Sequence, residues 1–479
     1  MDAKEFTELF LRFEYENKMF KSRISNIHIW HYIRNNIYYT LLRMLDMSDA
    51  LTNASRKSSK SRMTFQKAIR QFILCNQFLV HKRDVLIIPH ERKYKDGDKY
   101  YKCIFTDLLD QNLVNSHYIL DKKSMENDYA IQKSHNIIYL DLEAYKRIKN
   151  IKILHKTISK LEMDEVIFEP IEKYFNITFD LESKKRLLET VTYYINERSY
   201  LVRYYTYMLQ KIQPKVVIMV VSYSFDRMIL CEVASRKKIP VIELQHGVMN
   251  NTHIAYNFYK KVKLPSFPDY IFTFGQYERE NIKFPIERNR IIPTGYPELE
   301  KNFRQYNKKK NDKKNILFIS EGEVKITEYV VFAAKNLDAE RYHIVLQLHP
   351  KEYYSWEERM GECLSHSNIE VVGSFEHTVH ESLAQADWVI GNCSTVLYEA
   401  QMFDTKVIVL KFDFRYAEEL CRNGYALLVD NPKQLVSEIE KDSFTPNKKI
   451  SVFTENSLEK MQNSINSIIS MHQKIEKRI

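Results

Sequence analysis

The sequence predicts an α/β protein made of two doubly wound parallel sheets, preceded by a helical segment. Three patterns predict it. Short apolar runs rich in Val and Ile alternate with stretches of helical period, as parallel strands and their crossover helices do. The alternation comes in two sets, separated by the polar, aperiodic stretch 302–314 (Asn-Phe-Arg-Gln-Tyr-Asn-Lys-Lys-Lys-Asn-Asp-Lys-Lys), which reads as a linker. Several runs end in polar turns carrying Gly, Ser, Thr or His, and ligands bind at the carboxyl ends of strands in an open parallel sheet.

A length of 479 residues exceeds one core, so two or three domains are expected. The six cysteines are scattered without paired spacing, which points to reduced thiols rather than a disulfide framework. No zinc-ligand spacing is present, and neither a metal nor a cofactor is expected. No signal-peptide layout begins the chain, and no apolar run approaches the ~20 residues that span a bilayer. A cytoplasmic protein is expected, peripheral on the inner face of the cell membrane if residues 1–83 bind lipid. Those residues hold 15 Lys/Arg against 7 Asp/Glu, most of the chain's net charge of +10. No nucleic-acid fingerprint accompanies them, so an anionic membrane surface is the favoured partner over nucleic acid.

Taken in order, residues 1–83 form a basic helical segment. Phe13, Phe20, Ile24, Ile27, Trp30, Ile33, Ile37 and Leu41 recur at helix-like intervals, and Met63–Val80 is a second amphipathic stretch. Its apolar face lies either on a membrane or on the body of the protein. Residues 84–301 form the first sheet domain, with strands at Asp84–Pro89, Ile137–Leu140, Val166–Phe168, Val216–Val221, Val241–Leu244, Tyr270–Phe274 and Arg290–Ile292 and a long helix at Leu181–Gln213. Residues 315–450 form the second, with strands at Ile316–Ile319, Ile344–Leu348, Ile369–Val372, Trp388–Ile390, Val407–Leu410 and Ala426–Val429. Residues 451–479 close the chain as a helix. Two such domains leave a cleft between them.

The candidate chemistry sits at strand ends. Gln245-His246-Gly247 follows one strand; an imidazole there serves as general base or phosphate donor, and glycine lets a ligand approach the backbone. The alternative is a histidine that satisfies a loop carbonyl. Gly295 ends a later strand and either lines the same place or only makes a turn. Ser320-Glu321-Gly322-Glu323 ends the first strand of the second set. Glu321 or Glu323 accepts a proton from an acceptor hydroxyl, unless Ser320 and Glu323 form a helix-capping box. His349-Pro350-Lys351 offers charge-assisted hydrogen bonds to a phosphate. Ser394 and Thr395 open a helix spanning about 395–403, where backbone N–H groups favour an anion. Glu399, further along that helix, reaches ribose hydroxyls or is a plain helix carboxylate. Gly373-Ser374 and Asp413–Arg415 are weaker candidates near a base, and Trp388 and Tyr398 read as core.

In their order, Gln245-His246-Gly247, His349-Pro350 and Ser394-Thr395 resemble bacterial GT-B glycosyltransferases that build surface polysaccharides, of the sialyltransferase and Kdo-transferase type, and teichoic-acid glycerophosphotransferases. The resemblance covers about residues 84–441. It implies two Rossmann-like domains facing a cleft and a metal-independent transfer of a sugar from a nucleotide donor, CMP-linked by preference, to a glycan or lipid-linked glycan. It implies that His349 contacts donor phosphate or acts as acid toward the leaving nucleotide, and that Ser394 and Thr395 hold the phosphate. The Ser-Glu-Gly-Glu stretch departs from the acidic-acidic-Gly motif of such sialyltransferases at its first position, which leaves the general base open. Competing expectations are a CDP-glycerol or CDP-ribitol polyol-phosphate transferase, a nucleotide-sugar epimerase, and a non-catalytic polysaccharide-assembly protein.

Overall fold

The computed structural model describes residues 3–45, 80–90, 93–96, 100–103, 105–113, 117–122, 137–140, 157–306, 312–322, 324–350, 352–353, 356–373, 378–403, 405–412, 417–447 and 452–476. Most of Met63–Val80, and with it most of the expected lipid-facing stretch, lies outside them, as do Glu323, Lys351, Ser374 and Asp413–Arg415. The chain forms two compact units. Unit 1 comprises Met1–Thr273, Asn281–Thr294 and Leu458–Ile479; unit 2 comprises Phe274–Glu280 and Gly295–Ser457.

Unit 1 contains strands β1 (Arg23–Ile24), β2 (Ile27–His28), β3 (Val85–Ile88), β4 (Lys93–Asp96), β5 (Tyr100–Cys103), β6 (His117–Lys122), β7 (Ile137–Leu140), β8 (Val216–Val220), β9 (Val241–Leu244), β10 (Tyr270–Thr273) and β11 (Ile291–Pro293). Seven of them make a sheet in the order β11-β10-β9-β8-β3-β6-β7, with every neighbouring pair parallel. β3, β8, β9 and β10 are buried along their whole length, as continuous Val/Ile runs covered by helices on both faces require.

Unit 2 contains β12 (Lys314–Ile319), β13 (Tyr342–Gln347), β14 (Ile369–Val372), β15 (Trp388–Gly391), β16 (Lys406–Leu410) and β17 (Ala426–Val429). Their order is β14-β13-β12-β15-β16-β17, again parallel throughout. Numbered within the unit this is 3-2-1-4-5-6, the doubly wound order, and unit 1 follows the same rule with one strand added at an edge. The fold is α/β with two Rossmann-like units, the GT-B type.

Two sequence expectations change. Val166–Phe168 is not a strand; it lies in a π-helical turn, Asp164–Phe168, between helices Lys160–Met163 and Glu169–Phe175. Met163, Ile167 and Ile171 are all buried, and that spacing of four is helical. The helical pattern across residues 20–29 is broken by the β1–β2 hairpin, whose turn residues Ser25 (φ 49°) and Asn26 (φ 65°) both take the left-handed conformation of a type I′ turn. For residues 3–45 the apolar face packs inside unit 1: Phe6, Phe10, Phe13, Trp30, Ile33, Ile37 and Leu41 are fully buried. Phe6, Phe10 and Phe13 meet Phe175, and Tyr32 donates to Glu232.

Two buried polar groups anchor those helices. Arg34 and Glu14 form an ion pair at 1% and 2% side-chain exposure. His31 sits beside it, its Nδ1 2.6 Å from Ser266 Oγ. Burial, with a smaller push from the Arg34 charge, lowers the His31 pKa from 6.5 to about 3. Between those values the unfolded chain binds a proton that the folded chain refuses. The stability tied to neutral His31 is therefore complete above pH 6.5 and lost as the pH falls, by ~1.4 kcal/mol per pH unit. Urea titrations at pH 7 and pH 5 are expected to show about 2 kcal/mol of acid loss in the native chain that His31→Asn lacks.

Candidate functional site

In a sheet of order 3-2-1-4-5-6 the chain leaves the two central strands in opposite directions, and their carboxyl ends part to leave a crevice. In unit 2 those strands are β12 and β15. β12 runs into Ser320-Glu321-Gly322, and β15 into Asn392-Cys393-Ser394-Thr395. A hydrogen bond ties the two turns: the Cys393 N–H donates to Glu321 Oε1 at 2.9 Å. Gly322 takes φ 102°, a conformation that β-carbons resist, although the space around it is open. Asn392 braces the second turn by donating from Nδ2 to the Leu410 carbonyl.

The capping-box alternative for Ser320 does not hold. Helix Lys325–Asn336 begins without a side-chain cap, and Ser320 Oγ instead accepts from the Gly322 N–H. Ser394 does cap its helix, accepting from the Val396 N–H at 3.3 Å. That helix is shorter than expected, Thr395–Glu399, and tightens into a 3₁₀ turn at Ala400–Phe403. So short a helix has little macrodipole, and the anion-facing chemistry of this corner reduces to local N–H groups and the two hydroxyls.

His349 leaves β13, the neighbour of β12 on the side away from β15. Two strand spacings, about 10 Å, separate its strand end from that of Ser394. The side chain is half-buried and Pro350 is exposed. The His349 N–H donates to Glu352 Oε2 at 2.8 Å, and Glu352, 1% exposed, donates its own N–H back to the His349 carbonyl. This reciprocal pair fixes the turn that presents the imidazole.

Glu399 is 7% exposed, and its Oε2 lies 3.0 Å from His380 Nε2, whose Nδ1 meets Asn302 Nδ2 at 2.7 Å. A carboxylate so engaged ties two helices together, and the expected reach to ribose does not describe it. Gly295 is a packing residue. At φ 93° a β-carbon would stand 2.2 Å from the Thr454 carbonyl oxygen and 2.5 Å from Ser457 Cβ, so only glycine admits the 452–457 segment. Trp388 and Tyr398 are core residues, 0% and 3% exposed.

Unit 1 has its own switch point, between β3 and β8. Gln245-His246-Gly247 ends the adjacent β9. Gln245 is 2% exposed and donates from Nε2 to the Gly247 carbonyl, so it shapes the turn rather than facing a ligand. His246 is half-buried; Tyr223 Oη lies 3.3 Å from its Nε2, and His90 stacks on its ring with centroids 5.5 Å apart. Beneath them Glu243 is fully buried and accepts from the Ser222 N–H and the Tyr256 hydroxyl. Burial pushes its carboxyl pKa up, against the pull of those hydrogen bonds. Arg227 donates to the carbonyls of Val220, Val221 and Pro89, clamping the ends of β3 and β8. Val221 takes φ 69°, an outlier for a β-branched residue.

His90, Tyr223 and His253 were not among the sequence candidates. His90 carried the same signal as His246, an imidazole just past an apolar run, and only the sheet order shows that β3 and β9 flank one strand. Among the described residues, no group of three or more His, Cys, Asp or Glu is placed to hold a metal ion, and no helix is long and apolar enough to cross a membrane.

No protein-family model matches the chain, and no curated protein matches it. Among solved structures it is similar to the UDP-GlcNAc 2-epimerase of Methanocaldococcus jannaschii in complex with UDP-GlcNAc and UDP, at 13% identity over 80% of this chain and 99% of that one, with a TM-score of 0.42. It is similar to the UDP-GlcNAc 2-epimerase of Neisseria meningitidis bound to UDP-GlcNAc, at 11% identity over 80% of this chain and 100% of that one (TM-score 0.46). It is also similar to the glycotransferase of kitacinnamycin, at 11% identity over 83% and 99% (TM-score 0.43).

Proposed function

We propose that this chain is a nucleotide-sugar-dependent enzyme, and that it transfers the sugar to a glycan acceptor. The observation that carries the reading is the Cys393–Glu321 hydrogen bond, which sets the Ser320–Gly322 and Asn392–Thr395 turns side by side at the switch point of unit 2. One turn offers N–H groups and hydroxyls, the other a carboxylate. His349 stands one strand away.

In this reading the donor phosphate lies against Ser394 and Thr395. The bond between the anomeric carbon and the phosphate oxygen breaks, the electron pair stays on that oxygen, and His349 donates a hydrogen bond to the growing negative charge. Glu321 takes the proton of the acceptor hydroxyl as the new bond forms at the anomeric carbon. The finer expectation is a CMP-linked donor and a bacterial surface glycan, free or lipid-linked, with the basic stretch Arg56–Arg70 on an anionic membrane.

A thermal-shift panel of CMP, CDP, UMP, UDP and GDP tests the donor. A ligand that binds only the folded state adds about 2.7 kcal/mol at a hundredfold excess over Kd. A rise with one pyrimidine nucleotide is expected, reduced in the Ser394→Ala, Thr395→Ala double variant. A flat panel removes the donor reading, and a UDP-only response replaces CMP by UDP.

A further inference from the structure

The carboxyl edge of the unit 1 sheet gathers three imidazoles from two separate stretches of chain. His90 follows β3, His246 follows β9, and His253 lies on the loop beyond it. The His90 and His246 rings stack at 5.5 Å with 21° between their planes, and Phe105 stands edge-on to both. Tyr223, from the turn after β8, bridges the histidines: its hydroxyl approaches His246 Nε2 and its ring meets His253 at 5.4 Å. All four of these groups are half-buried, so the cluster is open to solvent rather than sealed in a core.

The groups behind the cluster set its charge. The Arg227 guanidinium is 6% exposed and spends its hydrogen bonds on three neutral carbonyls, so its positive charge stays at the strand ends. Glu243, close to it, is fully buried, and burial favours its uncharged form. Histidine ring N–H groups and a phenol hydroxyl are hydrogen-bond donors of the kind an anion accepts from. Two imidazoles face to face repel when both are protonated, and an anion between their edges removes that penalty. The position is where a doubly wound sheet takes its ligand.

We propose that this edge of unit 1 is a phosphate-binding subsite, and that it receives a phosphate monoester gripped by His90, His246 and Tyr223. A tetrahedral dianion accepts from several directions, which suits donors spread over stacked rings better than a planar carboxylate does.

The probe is inorganic phosphate, titrated into the full chain at fixed ionic strength and followed by calorimetry, with acetate as the planar control. His90→Phe keeps the stacked ring and the contact with Phe105 but removes the donor; His90→Gln keeps a donor. Saturable phosphate binding that exceeds acetate is expected, weakened at least tenfold in His90→Phe and less in His90→Gln. It should be unchanged in the exposed control His28→Ala. Binding that survives in His90→Phe but fails in the Ser394/Thr395 pair places the phosphate in unit 2: it overturns the subsite and leaves the donor reading standing. No binding, or equal binding of acetate, overturns the subsite as well, while the nucleotide panel decides the donor independently.

Discussion

Arg34→Ala is expected to cost unit 1 about 3–5 kcal/mol, the scale for stranding one partner of a buried ion pair. Arg34 is 1% exposed, and its guanidinium makes four hydrogen bonds. Nε and Nη2 donate to the two oxygens of Glu14 at 2.7 and 2.6 Å, and Nη1 and Nη2 donate to the carbonyls of Ile254 and Asn257 at 2.6 and 3.0 Å. Its planar face lies 4.3 Å from the centroid of Phe258. Alanine leaves the Glu14 carboxylate buried with only the Trp30 indole N–H as a donor among these contacts, and leaves two carbonyls without their partner. Glu14→Leu, Arg34→Leu removes both charges and should recover part of the loss. Urea unfolding followed by Trp fluorescence measures it, since Trp30 itself touches Glu14. A variant as stable as the native chain would show that the pair contributes nothing. Ile254 and Asn257 flank Tyr256 and follow His253, so the same arginine also fixes the loop beside His246.

His349→Ala is expected to lower kcat by about 10²–10³-fold with a much smaller change in KM, as for removal of one donor aimed at developing charge. The reason lies in the backbone. Pro350 restricts His349, and the Glu352 carboxylate accepts from its N–H, so the backbone that carries the imidazole is fixed before any ligand arrives. A donor held in advance stabilises the transition state without reorganisation. Turnover of the nucleotide identified by the thermal-shift panel measures it. An unchanged kcat rejects the role, and a rise in KM alone makes His349 a binding residue.

Parallel strands were legible in the sequence because they are buried on both faces and spell themselves as Val/Ile runs; β9, β14 and β17 have the predicted boundaries. β6 was missed because His117-Tyr-Ile-Leu-Asp-Lys mixes polar and apolar residues at the side of the sheet, where one neighbour is the edge strand β7. The run Val166–Phe168 misled because three apolar residues are too few to distinguish a period of two from one of four. The turns at Glu321 and Ser394 could be located from the strand ends, and their mutual contact could not. That contact depends on β12 and β15, about seventy residues apart, being neighbours in the sheet. Glu399 and Gly295 were misjudged for a related reason: the partners that claim them, His380 and the 454–457 backbone, are distant in sequence.

Unit 1 includes the helix Ser457–Glu476 from Leu458 onward, which buries Met461, Ile465 and Ile468 and sets His472 against Tyr270. On the ribosome that helix emerges only after all of unit 2 has been made. The body begun first is thus completed last, and its lower edge stays bare of this cover throughout synthesis of the other. Dividing the gene at residue 295 would not yield two independent proteins, because one product would lack a wall and the other would carry it as a loose apolar tail.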